Sequence, residues 1–404
     1  MKMSRLVTVV FGFLVLTRAA VAQEFTPIAG WDNQLYPAYI LSTSGMSVDS
    51  DAAADSTEST TLGDVTGLIG VELTATVNAQ PVTVTVRADD VMEPATWSGK
   101  LPVKGVTYRI NPAVTYRVAM LSTITKPVTI KVTYSVQTAK KPVEQIVPVV
   151  IRPVSECPYS VTLDGEAIDT SYTLAGFVNE DHPAIETLLN EALARGRVKE
   201  FTGYASGDDG EVIRQVYAVW DALVARKLNC VSLPPASSRP VTVKAQAVRS
   251  LDQILSAKQC TSIDGSVLLA SALKKIGIEP FVVMVPGHVY VGFYVESEQE
   301  SLLAIETTVL GTAAGRDGSV PSFESLDESV GKELRDPASW PSFAVAVVQA
   351  TNAIEQHADK FTSPDEPDYL LIDIAEARAM GVRPLGDPSV AARTSLAGEP
   401  PARQ

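Results

Sequence analysis

The chain has 404 residues, a formal net charge of −14 and a pI near 4.8. That length suits two or three domains rather than one core, and the acidic balance opposes phosphate binding, which calls for Lys and Arg gathered on one face. Nucleic-acid partners are therefore excluded.

Lys2 and Arg5 precede an apolar run from Leu6 to Leu16, and small residues follow to Ala20-Val21-Ala22. This is the layout of a secretory signal over residues 1–22, with a mature chain beginning near Gln23. The run is too short for the roughly 20 residues of a spanning helix, so no membrane span is expected after cleavage. A periplasmic or secreted product follows. Residues 47–61, rich in Ser, Asp, Ala and Thr, read as a mobile loop.

From Gly30 to Val154 the pattern is β. Residues 68–77, 81–87, 106–110, 114–120 and 128–136 alternate apolar and polar side chains, with Gly, Pro, Asn and Asp between them. One face of each strand then meets a core and the other meets water, as in an antiparallel β-sandwich, placed at residues 27–155.

After Pro158 the period turns helical. Asp181 ahead of Pro183 reads as an N-cap for a helix over 184–194, with Ile185, Leu188, Leu189 and Ala192 on one face. His182 then reads as a surface or capping residue. A second helix fits 211–227, its Tyr217 and Trp220 read as core. A third helix follows Thr261, and strands are expected at 280–285, 289–295 and 302–306. Residues 340–361 read as helix, with His357 on its surface, and 369–374 as a strand. Helices grouped with a sheet make this half α+β. The Pro, Ala, Gly and Ser content of 386–404 marks a disordered tail.

The three cysteines, Cys157, Cys230 and Cys260, permit one bridge and leave one thiol over, with the pairing open. No cluster of His, Cys and carboxylates has metal-site spacing, and no glycine-rich phosphate loop follows a strand. Neither a metal nor a nucleotide cofactor is expected.

Chemistry concentrates in Cys260-Thr-Ser262-Ile-Asp264, which opens an apolar helix, in Pro286-Gly287-His288, which opens a strand, and in Glu306 at the end of the next strand. A helix N-terminus lowers a thiol's pKa and favours developing negative charge. A histidine on a strand serves as base or imidazolium partner, and a carboxylate behind it fixes its tautomer. Asp264, in the first turn, is suited to capping or orienting the helix start.

Over residues 259–308 the chain resembles the transglutaminase-like superfamily, relatives of the papain-type cysteine proteases. The resemblance lies in Gly277-Ile-Glu-Pro280, His288-Val-Tyr-Val291 and Glu306-Thr-Thr308, where that family has Gly-Ile-x-Pro, His-x-x-Val and Asp-Pro-Thr. Looser matches at Gln215-Val-Tyr-Ala-Val-Trp220 and Gln246-Ala-Val-Arg249 resemble bacterial exported members that carry a β-domain ahead of the catalytic one. The resemblance implies a transglutaminase-like α+β domain at residues 156–385 and acyl transfer or hydrolysis at peptide amides, acting on a protein or peptide of the cell envelope.

The departure is at the nucleophile. Counting back from Asp264 or from Gly277, the family's cysteine position holds Ser262, and Cys260 lies two residues early. On a helix two residues turn a side chain by about 200°, so Cys260 belongs ahead of the helix. Three readings stand. Ser262 serves a Ser-His-Glu triad, or a rearranged loop brings Cys260 over His288, or catalysis is lost and the fold is a peptide- or envelope-binding module. The enzymatic readings predict the Cys260 sulfur or Ser262 oxygen within about 4 Å of His288, with Glu306 on the far side of the ring.

Overall fold

The computed structural model describes residues 24–46, 60–138, 141–163, 165–232, 242–314, 321, 323–363 and 365–386. The expected signal at 1–22, nearly all of the expected loop at 47–61 and all but the first residue of the expected tail at 386–404 lie outside them.

The first part is built of strands. In chain order these are β1 (Thr26–Ala29), β2 (Gln34–Leu35), β3 (Thr61–Gly63), β4 (Ile69–Thr74), β5 (Gln80–Ala88), β6 (Met92–Leu101), β7 (Thr107–Asn111), β8 (Val128–Gln137) and β9 (Val143–Ile151), with short helices α1 (Pro37–Ser42) and α2 (Val118–Leu121) between them. They form a four-stranded sheet, β1-β4-β7-β3, and a five-stranded sheet, β2-β9-β8-β5-β6. Alternation explains the pairing. Val82, Val84 and Val86 of β5 are buried together with Val71 and Leu73 of β4 and Val132, Tyr134 and Val136 of β8, in one cluster fed by both sheets.

The strand expected at 114–120 is a correction. Tyr116 makes only an isolated bridge with Met92, after which the chain turns into α2. The turn brings Leu121 and Ile124, three residues apart, into the core, and a straight strand could not point both inward.

A second buried cluster begins at Cys157, after the first one ends at Ile151. This second part of the chain comprises β10 (Glu156–Leu163), β11 (Glu166–Asp169), α3 (Pro183–Ala194), α4 (Asp209–Ala225), β12 (Asn229–Val231), β13 (Val243–Ala247), α5 (Leu251–Ala257), β14 (Gln259–Thr261) and α6 (Ser262–Lys275). There follow β15 (Pro280–Val285), β16 (His288–Tyr294), β17 (Leu302–Ile305), α7 (Glu324–Ser329), α8 (Trp340–Gln356), β18 (Leu370–Asp373) and α9 (Ile374–Ala379). The chain is thus a mixed α+β protein. Among the described residues no helix is long and apolar enough to cross a membrane.

The N-cap of α3 is His182, one residue later than expected, and its Nδ1 accepts from the Ala184 N–H at 3.2 Å. Tyr217 and Trp220 of α4 are fully buried. Close to them, Asp221 is completely buried and accepts hydrogen bonds from Arg195, Arg197 and Ser339.

A four-stranded sheet, β17-β16-β15-β18, carries the chemistry-bearing strands. Its alternating side chains serve two layers: Val282, Met284, Val289 and Val291 join the cluster of α6, whereas Phe281, Val283 and Ala304 pack with Ala350 and Ile354 of α8. Gly292 is required here, since a Cβ would lie 2.0 Å from the Phe281 ring that crosses it. A sheet clamped on both faces is a rigid mount for residues at its rim.

Candidate active site

Four segments converge at one rim of that sheet, the end of β12 with Ser232 being one of them. The first is the hairpin β15–β16. Val285 pairs with His288 across Pro286-Gly287, and Gly287 takes φ +77°, which suits glycine at the third position of a Pro-Gly turn. His288 is thereby held at the first position of its strand.

The second segment is the end of β17. Glu306 is nearly buried, and its backbone N–H donates to the Ala346 carbonyl of α8 at 3.0 Å. Its Oε2 lies 2.5 Å from His288 Nε2, and its Oε1 accepts from the Thr308 N–H at 2.8 Å and from Thr308 Oγ1 at 2.6 Å. Burial pushes the carboxyl pKa up, but the hydrogen bonds from His288 and Thr308 outweigh burial and hold it below the usual range. Glu306 is therefore an ionised acceptor. In the neutral imidazole this places the proton on Nε2 and leaves Nδ1 with a lone pair.

That lone pair has a partner the sequence reading did not name. Ser232, just past β12, places its Oγ 3.0 Å from His288 Nδ1. With Nδ1 as acceptor, the Ser232 hydroxyl donates. Hydroxyl, imidazole and carboxylate thus form one hydrogen-bonded line, and Ser232 is exposed, so a substrate can reach it. The Tyr290 ring stands edge-on to the imidazole, with centroids 4.6 Å apart.

The third segment is the start of α6, which carries the two expected nucleophiles, and Cys260 requires correction. Cys260 does precede the helix, but β14 runs parallel to β12 with Cys260 opposite Cys230, and the two sulfurs form a disulfide. Cys260 therefore has no thiol to offer. The unpaired cysteine is Cys157, buried in the core, where burial drives its thiol pKa up. Ser262 is the first residue of α6 and buried. Its carbonyl accepts from Thr307 Oγ1 at 3.1 Å, and its own hydroxyl makes no hydrogen bond to either nitrogen of His288. The position that the resemblance assigns to the nucleophile thus makes no hydrogen bond to the histidine.

Asp264 caps the helix, as expected. Its Oδ2 accepts from the Thr261 N–H at 3.0 Å and its Oδ1 from the Arg249 N–H at 2.8 Å, while Thr261 Oγ1 accepts from the Asp264 N–H. His357 ends α8, as a C-cap beside Tyr369, far along the chain from these groups. Among the described residues no group of three or more His, Cys, Asp or Glu side chains could hold a metal ion.

One signal could have pointed to Ser232. It lies two residues beyond Cys230, as Ser262 lies two beyond Cys260, so pairing those cysteines side by side brings both serines to the same rim. With three cysteines the sequence leaves that pairing open. Compared with known proteins, the chain matches no family model and no curated protein.

Proposed function

We propose that this chain is an exported acyl hydrolase or acyltransferase in which Ser232 is the nucleophile, His288 the general base and Glu306 the residue that orients and stabilises the imidazole. In this reading residues 27–155 are a β-sandwich and 156–385 a transglutaminase-like domain whose thiol chemistry has been replaced by a hydroxyl. The observation that carries the proposal is the occupancy of His288: Ser232 Oγ at 3.0 Å on Nδ1 and the Glu306 carboxylate at 2.5 Å on Nε2.

The chemistry follows from those contacts. A serine hydroxyl is not ionised near neutral pH, so it needs a base that takes its proton during attack. Ser232 Oγ adds to the carbonyl carbon while its proton passes to Nδ1. The resulting imidazolium is stabilised by Glu306, which stays ionised. Collapse expels the leaving amine or alkoxide, which receives that proton from Nδ1, and leaves an acyl ester on Ser232. Water, or an acceptor nucleophile, then gives its proton to Nδ1 and attacks the ester, and Ser232 Oγ leaves with that proton from Nδ1 as the hydrolysed or transferred acyl group departs. A protein or peptide of the cell envelope is the substrate class, and the disulfide suits an oxidising compartment outside the cytoplasm.

The test is hydrolysis of p-nitrophenyl acetate by the oxidised mature protein. A turnover that Ser232→Ala and His288→Ala abolish and Ser262→Ala retains supports the proposal. No turnover by folded wild-type protein would favour a peptide- or envelope-binding module instead.

A further inference from the structure

We infer that the Cys230–Cys260 disulfide is the positioning device of this site: it holds Ser232 against His288, so that opening it with a dithiol uncouples the serine from its base. The inference deepens the Ser232 reading and rests on it.

The strand that delivers Ser232 is weakly held without the bridge. β12 has three residues and, among the described residues, pairs only with β14, itself three residues long. Backbone bonds anchor its beginning, from Asn229 N–H to the Lys258 carbonyl at 3.1 Å and from Cys230 N–H to the Leu310 carbonyl at 3.3 Å. Beyond Cys230 the chain leaves the core, with Val231 half exposed and Ser232 exposed. Cys230 is therefore the last buried residue before the serine. Two short parallel strands are marginal by themselves, and a covalent bond between them at Cys230 and Cys260 reinforces their three-residue ladder.

The bridge also ties the serine to the other end of the triad. A Cβ on Gly265 of α6 would stand 3.0 Å from Cys230 Sγ and 2.8 Å from Thr307 Cβ and Oγ1, so helix, disulfide and Thr307 are in tight contact. Thr307 follows Glu306 directly and bonds the Ser262 carbonyl. Ser232, two residues from one sulfur, and Glu306, one residue from Thr307, are thus referenced to the same packed point.

Reduction removes that reference. A dithiol delivers two electrons and two protons to the bridge and closes to its own cyclic disulfide, leaving Cys230 and Cys260 as thiols. Two non-bonded sulfurs need more room than bonded ones, roughly the 3.5–4 Å of ordinary contact between heavy atoms. With the Gly265 backbone and Thr307 packed close on the inner side, the sulfurs separate by β12 moving outward, and Ser232 moves with it. Misplacement by about 1 Å costs on the order of 100-fold in rate.

The test compares the mature protein before and after dithiothreitol, with reduction verified by alkylation of Cys230 and Cys260. Two readouts are taken: the rate at which a fluorophosphonate labels Ser232, and the ring 15N resonances of His288. Reduction is expected to slow labelling at least tenfold and to shift the His288 resonances, both reversibly on reoxidation. Cys230→Ser/Cys260→Ser protein should label at the reduced rate and ignore dithiothreitol. A folded, reduced wild-type protein with the oxidised labelling rate and unmoved His288 resonances would overturn the inference. If the oxidised protein does not label at all, the acyl-transfer reading fails, and the His288 resonances alone then decide whether the bridge positions Ser232.

Discussion

Glu306→Gln removes one charge and keeps the side chain's size, yet it should disable the site, because of how many donors the carboxylate serves. Glu306 accepts from His288 Nε2 on one oxygen and from both the N–H and Oγ1 of Thr308 on the other. A glutamine has one acceptor oxygen and one NH2 group. The Thr308 N–H can only donate, so it claims the amide oxygen and turns the NH2 toward His288. To accept from that NH2, Nε2 must lose its proton, which moves to Nδ1. Nδ1 then donates to Ser232 Oγ and can no longer take its proton. General-base catalysis contributes about 100- to 10,000-fold, and the labelling rate of Ser232 should fall by that range. Exchanging a charge-assisted hydrogen bond for a neutral one should also lower unfolding free energy by about 1 kcal/mol. Fluorophosphonate labelling followed by mass spectrometry measures the first, and ring 15N shifts of His288 report the tautomer. A Glu306→Gln protein that labels within about threefold of wild type would refute this assignment of roles.

Gly265→Ala should destabilise by about 1–2 kcal/mol, since crowding against Thr307 and the Cys230 sulfur exceeds the gain in helix propensity; a thermal midpoint above wild type would contradict it. Asp221→Asn should cost about 3–5 kcal/mol in urea unfolding, because Arg195 and Arg197 lose a buried anionic partner. Burial pushes the Asp221 pKa up, yet the bonds from Arg195, Ser339 and Arg197 hold it below its ordinary value. Its stabilisation is therefore present above about pH 4 and is lost as pH falls through the depressed folded value. Stability should accordingly fall less steeply with acid in Asp221→Asn than in wild type, and equal slopes would contradict the assignment. Reduction of the disulfide, whose cysteines are 30 residues apart, should lower unfolding free energy by about 3–4 kcal/mol on a loop-closure argument, read from the urea midpoint.

Much of the scaffold was legible because its periodicity is local. The buried face of α4 follows from spacing alone, the strand at 280–285 from a short apolar, β-branched run after Gly277, and the helix after Thr261 from an apolar stretch whose Thr261–Asp264 cap lies within four consecutive residues. The 114–120 segment misled because Val114, Tyr116 and Val118 alternate like a strand, while Leu121 and Ile124 beyond them demand a helical turn. His288 and Glu306 were legible as a pair, since a Pro-Gly turn and a strand end lie at fixed offsets from them. Ser232 was not. It reaches the histidine only through the lateral pairing of β12 with β14, a contact between segments 30 residues apart that no local pattern encodes. The same pairing consumes Cys260, so one tertiary contact both removed an expected thiol and brought the Ser232 hydroxyl to the histidine.

The most direct test of a serine site at this rim is to map the adduct of a fluorophosphonate on the oxidised protein by peptide mass spectrometry. A single adduct on Ser232, lost in His288→Ala and retained in Ser262→Ala, is the predicted result; an adduct on Ser262, or no adduct on folded protein, would contradict it.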